Sequence, residues 1–394
     1  MLVSTWIAFL LVMLFVLGSA VGSFLNVCIV RLPQGRSLIR PPSSCGHCHK
    51  RIRMEDNLPL VSYWLLRGRC RWCGAPFSMR YFWIELLTGL SFVLIAHLEI
   101  GRNIHHFALW WDGGYEFLEA GMFPPRCGVV FVAHAVLCGF LIVATQSNRE
   151  YHKVPASVTV LGILAGLIAA TFCPWPWPDQ PTQAITRFDR QPVVLKEIKP
   201  YPWGPAVGAM PADEPWWKGD YTPRAGLYSW PIWGPLPHWL PPGNWRLGLA
   251  TGLAGALTGA VLTGLVRLVF NLGVGAAALG GGEISLLTIA GAFLGWQPVF
   301  VAGLLALIPG LTSATRQWVV RKQHRVSYSL WLVLILVPVW LGWFWIGPLV
   351  QGLFVDPIRL PLFAVGCAAW LLALAACLRL SSARPSAFEN GSKP

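Results

Sequence analysis

The chain has 394 residues, of which 55% are hydrophobic and only 12% charged, with a mean hydropathy of +0.55. This composition excludes a set of ordinary soluble domains and indicates a polytopic membrane protein, whose spans are helices because a helix satisfies its own backbone polar groups in lipid. The net charge of +13 sits in loops beside apolar segments, where it acts as an orientation signal, so the implied partner is the lipid bilayer and not nucleic acid.

The first predicted span covers about Val3 to Val30. Met1 to Gly18 has no basic n-region and no evident cleavage site, so it reads as a retained span and not a signal peptide. Its second half carries Gly18, Ser19, Ala20, Gly22 and Ser23, small residues that let another helix approach closely. A loop with two Cys-x-x-Cys pairs follows, Cys45/Cys48 and Cys70/Cys73, with 21 residues between Cys48 and Cys70. Four thiolates in two knuckles can close a tetrahedron around Zn²⁺, although the inner spacing slightly exceeds the common range. The alternatives are two disulfides or four idle thiols. From Arg31 to Arg80 inclusive there are ten Lys/Arg and two acids, Glu55 and Asp56. A loop this basic between spans stays in the cytoplasm, where thiols remain reduced, which argues against disulfides. The remaining cysteines, Cys28, Cys127, Cys138, Cys173, Cys367 and Cys377, lie in or beside apolar spans and read as small core residues.

The second span is expected at about Tyr81 to Leu98. Glu85 lies inside it, near the cytoplasmic end; such a carboxylate is either functional, or it snorkels or pairs with a loop arginine. Gly101 to Arg126 is an aromatic external connection. A third span is expected at Cys127–Thr145, a loop at Gln146–Pro155 and a fourth span at Val158–Phe172. Pro174 to Trp245 holds 16 of the 32 prolines and nine of the 22 tryptophans. That composition forbids long helices and suits an extended segment at the membrane interface, either a partner- or sugar-binding surface or an insertion lying on the bilayer. A glycine-bearing span at Leu247–Phe270 follows, with Gly252, Gly255, Gly259 and Gly264 as a close-packing face. Next come a glycine-rich loop at Gly273–Gly282, short spans at Ile284–Leu294 and Val299–Leu311, a basic loop at Arg316–Arg325, and spans at Tyr328–Leu349 and Leu360–Leu378. The fold expected is an all-α polytopic membrane protein of about nine transmembrane helices with a cytoplasmic four-cysteine zinc loop. With the N-terminus outside, the basic loops and the C-terminal tail all fall inside.

The block from Gly22 to Gly89 resembles the N-terminal part of the type IV prepilin leader peptidases, bacterial inner-membrane enzymes that cut the leader from prepilins and pseudopilins and methylate the new N-terminal amine. The residues that carry the resemblance are Gly22-Ser23-Phe24-Leu25-Asn26-Val27, Arg31-Leu32-Pro33, the two cysteine pairs, Asp56-Asn57-Leu58-Pro59, Leu66-Arg67-Gly68-Arg69-Cys70, and Arg80-Tyr81 through Glu85-Leu86. The membrane segments from Val130 to Gly310 match more loosely. The resemblance implies an N-terminal unit at 1–100, a peptidase-type membrane core at 127–173 and 246–314, an insertion at 174–245 foreign to the family pattern, and C-terminal spans at 315–394. It also implies that Asp56, Asn57 and Glu85 belong to the substrate and methyl-transfer region, and that S-adenosylmethionine is the methyl donor, although no glycine-rich site for it is recognisable.

The resembled enzymes are membrane aspartyl proteases. One aspartate lies seven residues before a proline and the other in a Gly-x-Gly-Asp motif; one ionised carboxylate activates water while the other, protonated, polarises the scissile carbonyl. Here the proline is Pro155 and the first position is Asn148. The second motif reads Gly280-Gly281-Gly282-Glu283, so its carboxylate is Glu283. None of the seven aspartates (Asp56, Asp112, Asp179, Asp189, Asp213, Asp220, Asp356) falls in either motif. An amide is no general base, so an ordinary dyad is not available unless Glu150, two residues past Asn148, turns in to join Glu283; otherwise Glu150 is a solvated charge beside Arg149 and Lys153. Two functions follow from the resemblance. One is a prepilin peptidase and N-methyltransferase with impaired peptidase activity. The other is a non-catalytic paralogue that binds pilin-like signal helices as a scaffold or regulator.

Overall fold

The computed structural model describes residues 5–102, 104, 115, 118, 125–172, 245–274, 278–320, 326–343, 345–347, 349–350 and 358–382. The segment expected at the membrane interface, Pro174 to Trp245, lies outside the described residues apart from Trp245, as does most of the external connection before Arg126. The side chains of Cys127, Cys173 and Cys377 are likewise outside them.

Every described element is helical: α1 Thr5–Arg31, α2 Val61–Leu65, α3 Arg80–Ile95, α4 Pro125–Tyr151, α5 Ala156–Phe172, α6 Trp245–Val274, α7 Gly282–Leu294, α8 Trp296–Leu305, α9 Leu307–Val319, α10 Ser329–Leu341 and α11 Arg359–Ser382. Three isolated bridges, Ser44 with Arg51, Arg69 with Pro76 and Leu279 with Val326, are the only β-type pairings among these residues. Four helices are long and apolar enough to cross a bilayer: Thr5–Arg31, Arg80–Gly101, Gly128–Tyr151 and Trp245–Gly273. A fifth crossing can be made by Trp296–Leu305 with Leu307–Trp318, bent by 46° at Ala306. The remaining apolar helices are shorter, at Ala156–Phe172, Gly282–Leu294 and Ser329–Leu341.

The first span wraps onto the second through Gly18, Ser19 and Gly22, whereas Ala20, expected on the same face, is exposed. A Cβ at Gly18 would lie 2.9 Å from Gly89 Cα, and one at Gly22 would lie 2.7 Å from Glu85 Cα. The opposite side of α1 presents Trp6, Phe9, Val12, Met13, Val16 and Leu17 outward, an all-apolar face that lipid can cover. α7 is the centre of the bundle, packed by α4, α5, α6 and α8. It is about 20 Å long and nearly all of it is buried, so its length is set by its helical neighbours and not by bilayer thickness. The α6–α7 contact is backbone on backbone: a Cβ at Gly255 would fall 2.1 Å from the Gly291 carbonyl oxygen, and one at Gly259 would fall 2.3 Å from that of Leu287. Gly264, expected on the same face, has nothing within 4 Å of a built Cβ and does not belong to it.

Three boundaries differ from expectation for local reasons. Gln146–Tyr151, read as loop because it is polar, is the last part of α4; nothing breaks the helix before Pro155, and Gln146 donates to Glu150 one turn on. Arg316, expected in a loop, closes α9. The span expected at Val299–Leu311 is split at Ala306 between two helices. Contacts between helix ends place the four-cysteine loop, the end of α4 and the start of α7 at one end of the bundle: Arg80 pairs with Glu150, and Gln34 Nε2 lies 3.5 Å from Tyr151 Oη.

The close α6–α7 approach sets a test. Gly255→Val places a branched side chain where the Gly291 carbonyl sits, and destabilisation of about 1–3 kcal/mol is expected, read as a lower melting temperature in detergent. Gly264→Ala, into open space inside the same helix, is expected to raise the melting temperature slightly, since alanine is the better helix former.

Candidate functional site

The polar centre of the bundle forms where α4 ends and α7 begins. Asn148, on the last turns of α4, is 1% exposed, as is Glu283 on the first turn of α7. The Asn148 amide Nδ2 donates to Glu283 Oε1 at 3.0 Å and to Ser327 Oγ at 2.9 Å. The Ser327 hydroxyl donates to the same Glu283 oxygen at 2.7 Å, and the Tyr328 backbone N–H adds a third donor at 3.1 Å. Three donors on one carboxylate oxygen compensate the burial of a charge that is otherwise costly at this depth. Glu283 Oε2 is buried and has no hydrogen-bond partner.

The backbone explains why these residues meet. Gly282 is obligatory for the approach, because a Cβ there would lie 2.0 Å from Asn148 Oδ1. The strip before α7 pairs with the strip before α10 through the Leu279–Val326 bridge and a 3.0 Å bond from Val326 N–H to Ala278 O, which delivers Ser327 to Glu283. Asn271 of α6 clamps Leu279 in both directions, accepting from its N–H at 2.8 Å and donating to its carbonyl at 3.2 Å. Gln317 of α9 grips Ser327 similarly, donating to its carbonyl at 3.0 Å and accepting from its N–H at 3.4 Å.

Glu150 does not join this cluster. One of its oxygens pairs with Arg80 at the start of α3 and the other accepts from Gln146. The proposed turn toward Glu283 is therefore corrected: on a continuous helix Glu150 points to the basic loop end, where an arginine takes it. It remains an exposed charge, paired with Arg80.

In the four-cysteine loop each Cys-x-x-Cys forms a tight turn closed by backbone bonds, His49 N–H to Cys45 O at 3.0 Å and Gly74 N–H to Cys70 O at 2.9 Å. The left-handed φ needed at the end of each turn falls on His49 (56°) and Gly74 (68°). The sulfurs of Cys45 and Cys73 are 3.8 Å apart, those of Cys48 and Cys70 are 4.0 Å apart, and all four lie within 4.8 Å of one another. A tetrahedron with Zn–S bonds of ~2.3 Å has edges of about 3.8 Å, so the set can hold one metal ion. None of the four is in a disulfide. Backbone N–H groups of Cys48 and His47 push the Cys45 thiol down to about 6, while the crowded sulfurs push Cys73 up to about 11, as when one thiolate forms first among four close thiols. The charged faces of Lys50 and Arg53 each lie 4.9 Å from the Trp72 ring.

Asp56 sits on a 3₁₀ turn, Met54–Asn57, and is gripped two-fold by Arg71, whose Nε lies 3.0 and 2.8 Å from its two oxygens. Arg71 holds the Asp56 carboxyl below its usual range, and the pair ties the 3₁₀ turn to the second knuckle. Asn57 is exposed on the same turn. Glu85 accepts from the Leu60 backbone N–H at 2.8 Å, which fastens the loop to the second span; among the described residues it makes no ion pair with a loop arginine. Asp56 and Glu85 thus belong to the four-cysteine loop and its anchor, whereas Asn148 and Glu283 form the separate polar centre.

Sequence reasoning passed over Ser327, Ser329, Gln317 and Asn271, whose types carry no motif. It also passed over a second buried polar pair, Glu99 and His134, with Oε1 and Nδ1 2.6 Å apart and the His134 ring edge-on to Trp340 at 4.7 Å. Glu99 lies on a π-turn at the far end of the second span, Ala96–Gly101, a feature that helical periodicity cannot signal.

The loop geometry predicts one zinc per chain in purified protein. Cys48→Ser is expected to lower the bound metal to well below one equivalent and to raise the protease sensitivity of residues 45–73. A native preparation free of metal after purification without chelators would contradict the reading.

Against known proteins, the description "Bacterial Peptidase A24 N-terminal domain" matches residues 16–98. The prepilin leader peptidase/N-methyltransferase of Dickeya chrysanthemi is 30% identical over 340 residues, covering 80% of this chain and 85% of that protein. The protein of the same name from Myxococcus xanthus is 38% identical over 159 residues, 40% of each chain, and that from Stutzerimonas stutzeri is 27% identical over 296 residues, 66% of this chain and 83% of its own. No solved structure matches. The N-terminal match alone would leave the membrane core unassigned, but the Dickeya similarity runs over four fifths of the chain, well beyond residue 98, and the protein belongs to the prepilin leader peptidase/N-methyltransferase family.

Proposed function

We propose that this chain is a bacterial inner-membrane protein that acts on prepilins or pseudopilins, recognising their leader and adjoining apolar helix at the bundle end that carries Asn148 and Glu283. In this reading the four-cysteine loop lies in the cytoplasm with a structural Zn²⁺, the N-terminus lies outside and the C-terminus inside, and leader cleavage and N-methylation are the activities at issue. The names of its relatives support it. The basic character of the loop supports the orientation. Zinc, held by Cys45, Cys48, Cys70 and Cys73, would supply shape alone: four thiolates leave no open position for substrate.

Peptide cleavage in this reading is weaker than in a site with two carboxylates. One observation carries that statement: Asn148 and Glu283 are in contact at 3.0 Å, where two carboxylates would share a proton, and only one of them can ionise. Methyl transfer falls to the N-terminal block that carries Asp56, Asn57 and Glu85, of which Glu85 fastens the loop to the second span; S-adenosylmethionine is the donor that the family name suggests.

The test is leader cleavage and methylation of a prepilin by purified protein with and without a methyl donor. Asn148→Asp together with Glu283→Asp restores a pair of carboxylates and is expected to raise cleavage well above native, by about 10²-fold if geometry alone limits the native pair; either change alone does much less. Native cleavage that already equals that of the double variant would contradict the reading. Binding and methylation without any cleavage in either form would instead favour a scaffold or methyl-transfer role.

A further inference from the structure

The position of Ser327 assigns it a role at the polar centre. Of the cluster, Asn148, Glu283, Tyr328 and Ser329 are buried, at 1% exposure or less, and Ser327 alone is half-buried. Its hydroxyl oxygen touches both side chains, 2.7 Å from Glu283 Oε1 and 2.9 Å from the Asn148 amide nitrogen, two atoms that are themselves in contact at 3.0 Å. A water molecule held between a carboxylate base and an amide donor makes the same two bonds at the same lengths. A hydroxyl offers one donor and two acceptor sites, so it can replace that water bond for bond.

We propose that Ser327 occupies the place of the hydrolytic water, so that this structure is a plugged form of a site in which Glu283 is the lone general base and Asn148 the oxyanion donor. The inference rests on the reading of the chain as a leader-processing protein. With water in place of the Ser327 hydroxyl, Glu283 takes a proton from the water as its oxygen bonds to the scissile carbonyl carbon. The carbonyl oxygen takes up the electron pair and is held by the Asn148 N–H that the attacking water gives up, while the other amide hydrogen stays on Glu283. The C–N bond then breaks as Glu283 returns the proton to the leaving nitrogen. The products are the leader carboxylate, its proton released to solvent, and the free N-terminal amine of the pilin, which is the group that the family's second activity methylates. No second carboxylate is used, and the chemistry is slower because no acid polarises the carbonyl.

The plug is held from behind. Gln317 clamps both backbone groups of Ser327, and Ser329 bonds its hydroxyl at 2.9 Å. Two independent variants therefore loosen it: Ser327→Ala removes the hydroxyl and leaves room for one water, and Gln317→Ala frees the backbone that carries it without touching Glu283 or Asn148.

The experiment measures kcat and KM for leader cleavage by full-length protein in nanodiscs, with a synthetic peptide spanning a prepilin leader and the start of its helix. Melting temperature serves as the control for folding, and peptide binding and N-methylation are followed in parallel. Ser327→Ala is expected to raise kcat by about tenfold or more, the gain from removing a competitor that fills most sites, with little change in KM. Gln317→Ala is expected to raise it by less. Glu283→Gln is expected to abolish cleavage in both the native and the Ser327→Ala backgrounds. Cleavage that falls or stays level in a folded Ser327→Ala variant makes Ser327 a structural support and overturns the proposal, as does cleavage that survives Glu283→Gln. If every variant binds and methylates the peptide but none cleaves it, this inference fails while the family role stands. If the native chain neither binds, methylates nor cleaves, the functional reading itself fails.

Discussion

The structure depends on keeping one carboxylate buried in an apolar bundle. Glu283 starts the central helix, and a charge there is tolerated only because three donors converge on a single oxygen. Each donor makes a demand on the chain. Asn148 requires α4 to run unbroken to its polar end and requires glycine at 282. Ser327 and Tyr328 require the strip before α10 to lie against the strip before α7, which the Leu279–Val326 bridge and the Asn271 and Gln317 clamps secure. α7 can sit that deep because α6 meets it through glycines with no side chain between the backbones. The polar site and the tightest packing are thus parts of the same constraint.

The N-terminal third is a separate construction with its own logic. Two knuckles of the same local geometry bring four sulfurs together. The loop is then fastened at two points, by Arg71 on Asp56 within the loop and by Glu85 on the Leu60 backbone at the helix. A third tie, Arg80 to Glu150, joins the start of the second span to the end of the third. A loop with these ties reports the position of the first two spans to the helix that carries Asn148. That is a physical route by which the four-cysteine loop and the polar centre can belong to one machine.

Much of this was legible in the sequence because its signals are local. The Cys-x-x-Cys spacing, the small residues of the first span and the glycines of α6 name both the feature and its purpose; Gly18, Ser19 and Gly22 pack as read, as do Gly252, Gly255 and Gly259, whereas Ala20 is exposed and Gly264 faces open space. Asn148 and Glu283 were legible through their distance from Pro155 and their place after three glycines. Ser327, Gln317 and Asn271 were not legible, since serine and amide side chains acquire meaning only from what the fold puts beside them. The Glu99–His134 pair was hidden for the same reason. The sequence left Glu150 open between joining Glu283 and being a solvated charge; a continuous helix sends residues two apart in different directions, and Glu150 is an exposed charge held by an arginine from another helix. Gln146–Tyr151 was misread as loop because polarity was taken for irregularity at the end of a span.

The central claim is that one carboxylate, Glu283, carries whatever leader cleavage this chain performs. It is tested most directly in a bacterial host lacking its own prepilin peptidase, by expressing the native chain or its Glu283→Gln variant with a pseudopilin and following the mature N-terminus by mass spectrometry over time. The account predicts slow accumulation of the mature form with the native chain and none with Glu283→Gln. Maturation at the same rate with both would contradict it.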